Sequence, residues 1–244
     1  VAAARPTARD VSAALRRLAD KKKAAVLQRF FKTGPGEYAE GDRFLGVTVP
    51  KQRAVAGQFH DLPLAELRKL LRSHVHEARL TALLIMVGQY RRGDAAYRER
   101  LYRTYLGHTR FINNWDLVDS SAEHIVGPHI LQRPRPLLKK LARSPSLWER
   151  RIAMLATFHF IKNGEATETL WVARQLLCDG HDLIHKAAGW MLREVGKRVD
   201  ERLLRRFLDR HAHAMPRTML RYAVERLPAA AKKDYLARRQ ALAG

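Results

Sequence analysis

A carboxylate and an indole, two side chains that could do chemistry together, stand four residues apart in the stretch Phe111–Asp119, F-I-N-N-W-D-L-V-D. A carboxylate, Asp119, can stabilise positive charge and orient water, and an indole, Trp115, offers a π face that attracts cations. The pair acts together only if it shares a helix face, and the local sequence favours a helix. Asn113 and Asn114 are natural N-caps, and Asp116 places an acid in the first turn. The spacing predicts a helix over Trp115–Val126 with Trp115 and Asp119 on one side and Glu123 a turn further. Leu117, Val118 and Ile125 fall on the side that enters a core. A bland alternative stays open on these residues alone, namely helix capping beside an ordinary half-buried tryptophan.

The setting makes the acid conspicuous. The 244 residues carry 46 Lys and Arg against 24 Asp and Glu, a formal net charge of +22, and the pI is about 10.9. Such an excess implies a polyanionic partner, and nucleic acid is the commonest one. An anionic membrane surface is the rival, but no run is apolar for long enough to span a bilayer; L-T-A-L-L-I-M-V-G-Q-Y stops too soon. Apolar residues make up 46%, which excludes a disordered chain and allows a substantial core. The single cysteine, Cys178, excludes an internal disulfide and fits a reducing compartment. With no signal-peptide pattern visible, the expected location is the cytoplasm.

Residues 1–8 read as a loose basic lead-in, followed by helices over Ser12–Ala19 and Lys22–Lys32. Thr33–Asp42 (TGPGEYAEGD) is the clearest loop. Pro50 suits the first turn of the next helix. Apolar spacing at three and four residues then predicts helices over Leu64–Ser73, Glu77–Arg91, Ala95–Leu106, Pro136–Ala142, Trp148–Lys162 and Ala166–Cys178. Four more follow over Leu183–Val199, Glu201–Ala212, Pro216–Arg226 and Ala229–Ala241. No alternating strand or hairpin signal is present. Long helices begin near Trp115, Trp148, Leu183 and Pro216, at intervals of 33, 35 and 33 residues. That period suits an all-α solenoid of helix pairs of the HEAT, armadillo or TPR kind, a single domain over 1–244 with a concave basic face. A compact helical bundle is the alternative.

Within Leu183–Val199, Ile184, Ala188, Met191, Leu192, Val195 and Val199 form one apolar stripe. Trp190 lies off it, among Lys186, Arg193, Glu194 and Lys197, a mixture that suits a nucleic-acid surface. A tryptophan packed on a neighbouring helix under lysine stems would give the same pattern. Arg151 begins a helix that soon turns apolar all round, so its guanidinium needs a carboxylate or a phosphate as partner. Trp148 and Trp171 read as core residues. His211 with His213, and His181 with His185 and Cys178, match no zinc-ligand spacing, so no metal and no cofactor is expected. Gly34-Pro35-Gly36 lacks the Lys-Ser/Thr of a phosphate loop.

Four segments in order carry a resemblance: 31–53 (FKTGPGEYAEGDRFLGVTVPKQR), 114–121 (NWDLVDSS), 148–153 (WERRIA) and 186–194 (KAAGWMLRE). Together they resemble the AlkD family of alkylpurine DNA glycosylases, whose fold is a HEAT-like solenoid. The resemblance implies that Asp119 is the catalytic carboxylate and that Trp115 and Trp190 are the aromatic pair flanking the lesion-bearing nucleotide. It places Arg151 near the phosphate backbone and Phe30 where some members have a tyrosine. Asn114 departs from members with a second tryptophan, and the long Gly34–Asp42 loop occurs in only part of the family. The implied substrate is double-stranded DNA carrying cationic N3-alkyladenine or N7-alkylguanine, excised by a monomer without an enclosing base pocket. Lys186, Arg193, Lys197 and Arg151 would then meet the DNA. The other readings are a non-catalytic binder of distorted DNA, a glycosylase specialised for bulky adducts, and a protein–protein scaffold.

Overall fold

A computed structural model describes residues 5–238 of the chain. Those residues form fifteen α-helices and one 3-10 turn, Thr109–Phe111, and no strand; a single bridge pairs Arg43 with Val75. Residues 1–4 of the expected lead-in and 239–241 of the last expected helix lie outside the described residues. The chain divides into two compact units, Val1–Ser121 and Ala122–Gly244.

The first unit contains α1 (Ala8–Arg17), α2 (Lys21–Phe30), α3 (Val49–Gln58), α4 (Leu64–Leu71), α5 (His76–Arg92), α6 (Ala95–Leu106) and α7 (Trp115–Asp119). Thr7 and Asp10 close a capping box, which starts α1 earlier than the apolar spacing alone indicates. The hub is α5, which packs against α1, α3, α4, α6 and α7. Most of its length is buried, including the polar residues His76, Glu77, Arg79 and Gln89, so each of these must be satisfied internally. Glu77 does so by accepting from the backbone N–H groups of Leu45, Gly46 and Val47, at 3.0, 2.8 and 3.2 Å. This carboxylate fixes the apolar link that follows the long loop. Gly46 is obligatory there, because its φ is +82° and an added Cβ would lie 2.1 Å from the Asp20 carbonyl oxygen.

The second unit contains α8 (Ala122–Ile130), α9 (Pro136–Ala142), α10 (Leu147–Lys162), α11 (Thr167–Gln175), α12 (Asp182–Arg198), α13 (Glu201–His211), α14 (Arg217–Ala223) and α15 (Ala229–Arg238). Helices α8, α10, α12 and α14 pack in succession as one layer, and α9, α11 and α13 pack against that layer as a second. The pairs α9–α10, α11–α12 and α13–α14 therefore repeat as a solenoid does. The second members start at 147, 182 and 217, so 182 − 147 and 217 − 182 are both 35. Two close crossings rest on glycine. A Cβ on Gly127 would meet the Ala156 carbonyl at 2.5 Å, and one on Gly189 the Met219 carbonyl at 2.4 Å.

One expected helix is divided. The segment Trp115–Val126 breaks after Asp119 and resumes as α8, which runs on to Ile130 despite Pro128. Ser121 explains the break: its hydroxyl donates to the Leu117 carbonyl at 2.6 Å, competing with the helix ladder. The same hydroxyl shares a hydrogen bond with the Tyr105 hydroxyl at 3.0 Å, which anchors the end of α7 to α6.

Candidate active site

The helix α7 is only five residues long, too short to hold itself together, so its position is set by its surroundings. Asn114 caps it, accepting from the Trp115 N–H at 2.8 Å. Leu117 and Val118 are fully buried, which leaves Trp115 and Asp119 half-buried one turn apart on the other side. Asp119 faces the neighbourhood of Tyr105. Burial drives the Tyr105 phenol well above its ordinary value, its bond to Ser121 opposes this, and the Asp119 charge adds to the rise. A neutral phenol therefore stands near the carboxylate at all ordinary pH values.

A buried charge network holds α7 from beneath. His76, the first residue of α5, places Nε2 2.8 Å from an Asp116 oxygen and Nδ1 3.1 Å from an Asp42 oxygen. Carboxylates only accept, so both ring nitrogens donate and the ring is an imidazolium. Burial works against that charge, but Asp116, through its charge and hydrogen bond, and then Asp42 raise the pKa of His76 above its ordinary value. Asp42 is itself buried and also accepts from Arg79 at 2.6 Å. Burial would raise its pKa, yet the bonds and charges of His76 and Arg79 hold it below the usual carboxylate value. The end of the Gly34–Asp42 loop is thus an anchor beneath α7. The loop arranges itself by short bonds: Glu37 accepts from Gly34 N–H at 2.8 Å, Glu40 from Gly36 N–H at 3.0 Å, and Gln28 donates to the Asp42 carbonyl at 2.6 Å.

Aromatic rings continue from this network to the surface. Phe44 stacks on His76 at 4.6 Å, Phe31 stacks on Phe44 at 5.0 Å, and Trp115 stacks on Phe31 at 5.3 Å. Phe30 meets Trp115 edge-on at 6.2 Å and is 60% exposed. The structure thereby brings together Trp115, Asp119 and Phe30, three of the residues expected to act on DNA. Glu123 lies beyond the break, buried and paired with Lys162 in the second unit.

In the second unit, Trp190 is half-buried and packs against Phe158 at 5.7 Å, while Lys162 and Arg198 lie 4.5 and 5.4 Å from the Phe158 ring centre. The apolar stripe of α12 is as expected from Ile184 to Val195, and Val199 falls just past the helix end. The cations around Trp190 are less free than the sequence indicates. Arg193 pairs with Glu225 and Glu194, and Lys186 pairs with Asp182 at 2.8 Å. Lys197 is exposed, and among the described residues no ion pair involves it. Glu194, expected on the polar face, is buried between Arg193 and Arg198; burial opposes its charge, but these arginines hold its pKa below the ordinary value. Arg151 is 5% exposed and donates to the Leu183 carbonyl. Its guanidinium therefore joins α10 to the start of α12 from inside the unit. Trp148 is buried, but Trp171 is half-exposed under Lys139 and Arg143, so it is not the core residue its neighbours in sequence imply.

Sequence reading missed His76, Asp42 and Phe31. The available signal was a His-Glu pair opening an otherwise apolar helix, where two titratable groups have to enter the core. Among the described residues no group of His, Cys, Asp or Glu side chains is clustered to hold a metal, and no helix is long and apolar enough to cross a membrane.

Comparison with known proteins bears on the fold and the family. A solved structure described as a predicted DNA alkylation repair enzyme from Enterococcus faecalis has a similar fold, with a TM-score of 0.66 at 15% identity. The similarity covers 86% of this chain and 97% of that one. No curated protein sequence matches the chain. The family model for DNA alkylation repair enzymes matches residues 11–227, which include α7, its anchoring network and the Trp190 helix. The chain belongs to the DNA alkylation repair enzyme family.

Proposed function

We propose that the chain is a DNA glycosylase that hydrolyses the N-glycosidic bond of cationic alkylated purines, N3-alkyladenine and N7-alkylguanine, in duplex DNA. The observation that carries this reading is the pairing of Asp119 with Trp115 on a short helix held in place by the Asn114 cap, His76 and the Ser121–Tyr105 contact. An alkylated purine is already positively charged, so it leaves without strong acid catalysis. As its bond to C1′ breaks, the bonding pair goes to the base, which departs neutral, and positive charge passes to the sugar. The Asp119 carboxylate stabilises that oxocarbenium-like state and orients the water that adds to C1′ and gives up its proton to solvent. Trp115 favours the same charge by cation–π attraction, about 0.5–2 kcal/mol, and Phe30 extends its apolar surface. A neutral base gains less from either group. Trp190 and the exposed Lys197 are assigned to DNA contact through the second unit, with Lys186 and Arg193 after exchange of their carboxylate partners. Arg151 acts as a positioning residue for α12.

The test is release of free base from duplex DNA carrying N3-methyladenine and N7-methylguanine, by the wild type and by Asp119→Asn. Release by the wild type that falls about 100-fold or more in the variant supports the reading. Undiminished release by Asp119→Asn removes the carboxylate from the mechanism. If neither protein releases base but both bind the duplex, a substrate with a bulky N7 adduct separates a specialised glycosylase from a non-catalytic binder.

A further inference from the structure

Between α11 and α13, on helices that carry neither Trp190 nor Arg151, lies a cavity of about 360 Å³. Leu170, Leu203 and Phe207 supply apolar lining, and the half-exposed indole of Trp171 supplies a second aromatic surface. Arg174, Arg206 and Arg210 also line it, the last two one turn apart on α13. All three guanidiniums are exposed, and among the described residues none makes a hydrogen bond or ion pair. Elsewhere in this unit Arg135, Arg150, Arg193, Arg198, Arg205 and Arg238 each hold a carboxylate, whereas these three converge on one hollow without one. Three like charges brought together around an apolar hollow repel one another and favour an anionic guest.

The shape of the charge narrows the guest. One bidentate arginine saturates a planar carboxylate, whereas guanidiniums from two helices suit a phosphate with oxygens in several directions. The hollow beside them is aromatic on more than one side, with the Phe207 and His211 rings 4.7 Å apart and Trp171 near Lys139 and Arg143. Burial, then the charges of Arg174, His213 and Arg210, lower the pKa of His211, so its ring is neutral near pH 7 and offers one donor and one acceptor. An anion tied to a flat ring with polar edges fits all of these features. We infer that this cavity binds a nucleotide unit, with the base in the Trp171–Phe207 hollow and the phosphate against Arg174, Arg206 and Arg210. The unit comes from a free mononucleotide or from single-stranded DNA, and the site is independent of the excision chemistry.

Binding to the full chain is measured by calorimetry with 5′-dAMP, deoxyadenosine, inorganic phosphate, a twelve-residue oligo-dA and an acidic peptide containing one tryptophan. Arg174→Gln/Arg206→Gln is the comparison protein, its fold checked by circular dichroism, since both side chains are exposed. The expected result is that dAMP binds at least about tenfold more tightly than deoxyadenosine or phosphate, and that the double variant loses about tenfold. The part of oligo-dA affinity that the double variant loses identifies the source. A loss larger than that for dAMP assigns a strand, and an equal or smaller one assigns the free nucleotide. Phosphate binding as well as dAMP, an unchanged double variant, or tighter binding of the peptide through the same arginines would overturn the inference. Base release assayed on the same variant reports on excision separately.

Discussion

His76 Nε2 lies 2.8 Å from a carboxylate oxygen of Asp116, the residue next to Trp115, so an imidazolium at the start of α5 sets where the indole sits. The groups facing it are Asp116, Asp42 and Arg79, and the last acts against its charge. The pKa of His76 is raised in the fold above the ordinary 6.5. Its contribution to stability is therefore complete below about pH 6.5 and is lost as pH climbs through the folded value. Asp42 is shifted the opposite way, so its contribution is present above the ordinary 3.8 and is lost as acid passes its lowered value. Melting temperature followed from pH 5.5 upward should fall in the wild type and stay flatter in His76→Gln. Parallel profiles would show that the ring's charge does not hold α7. Removing the ring altogether, in His76→Ala, leaves the buried Asp42 and the partly buried Asp116 less satisfied and should cost about 3–5 kcal/mol.

Adjacent phenylalanines should separate stability from function. Phe31 is buried between Phe44 and Trp115, so Phe31→Ala should destabilise by about 3–5 kcal/mol. Phe30 is mostly exposed and meets Trp115 by its edge, so Phe30→Ala should change stability by no more than about 0.5 kcal/mol. Its effect should appear instead as weaker binding to alkylated duplex. Denaturant melts and binding titrations of the two variants check this. A Phe30→Ala protein that binds like the wild type would confine that ring to packing.

Glu77 offers a third test, on the link after the long loop. One carboxylate accepts from three consecutive N–H groups, bonds of the charge-assisted kind. Glu77→Gln keeps the shape but can accept through only one oxygen and introduces two buried donors. The expected loss is about 1–3 kcal/mol, with faster amide exchange at Leu45, Gly46 and Val47. Unchanged exchange at these three amides would show that the carboxylate is dispensable.

How much of this was legible depends on the distance over which each feature is built. The cap at Asn114, the facing of Trp115 and Asp119, and the α12 stripe are local, and the chain states them within one or two turns. The network under α7 joins Asp42, His76 and Asp116 across 34 and 40 residues, and no periodicity records such a pairing. Arg193 illustrates the same limit. Helical spacing places it correctly near Trp190, but its partner Glu225 is 32 residues away. The break at Ser120–Ser121 was local yet hidden, because a serine hydroxyl bonding back to Leu117 depends on Tyr105 to complete it.

That difference between a charge and its partner decides the salt dependence. Lys197 is exposed and, among the described residues, unpaired, whereas the Arg193 side chain is 16% exposed and tied to Glu225 and Glu194. Lys197→Glu should leave the melting temperature almost unchanged. If Lys197 meets a phosphate, the variant should weaken duplex binding and reduce the slope of log affinity against log salt by about 0.9. Arg193→Glu acts first on the fold, because Glu194 is buried and would keep only Arg198 while facing a new like charge. It should therefore melt earlier, and its loss of binding should be partly recovered by Arg193→Glu/Glu225→Arg, which restores one pair. Salt titrations of the three variants, each run well below its own melting temperature, separate the roles. An unchanged slope in Lys197→Glu would mean that the end of α12 does not touch the DNA.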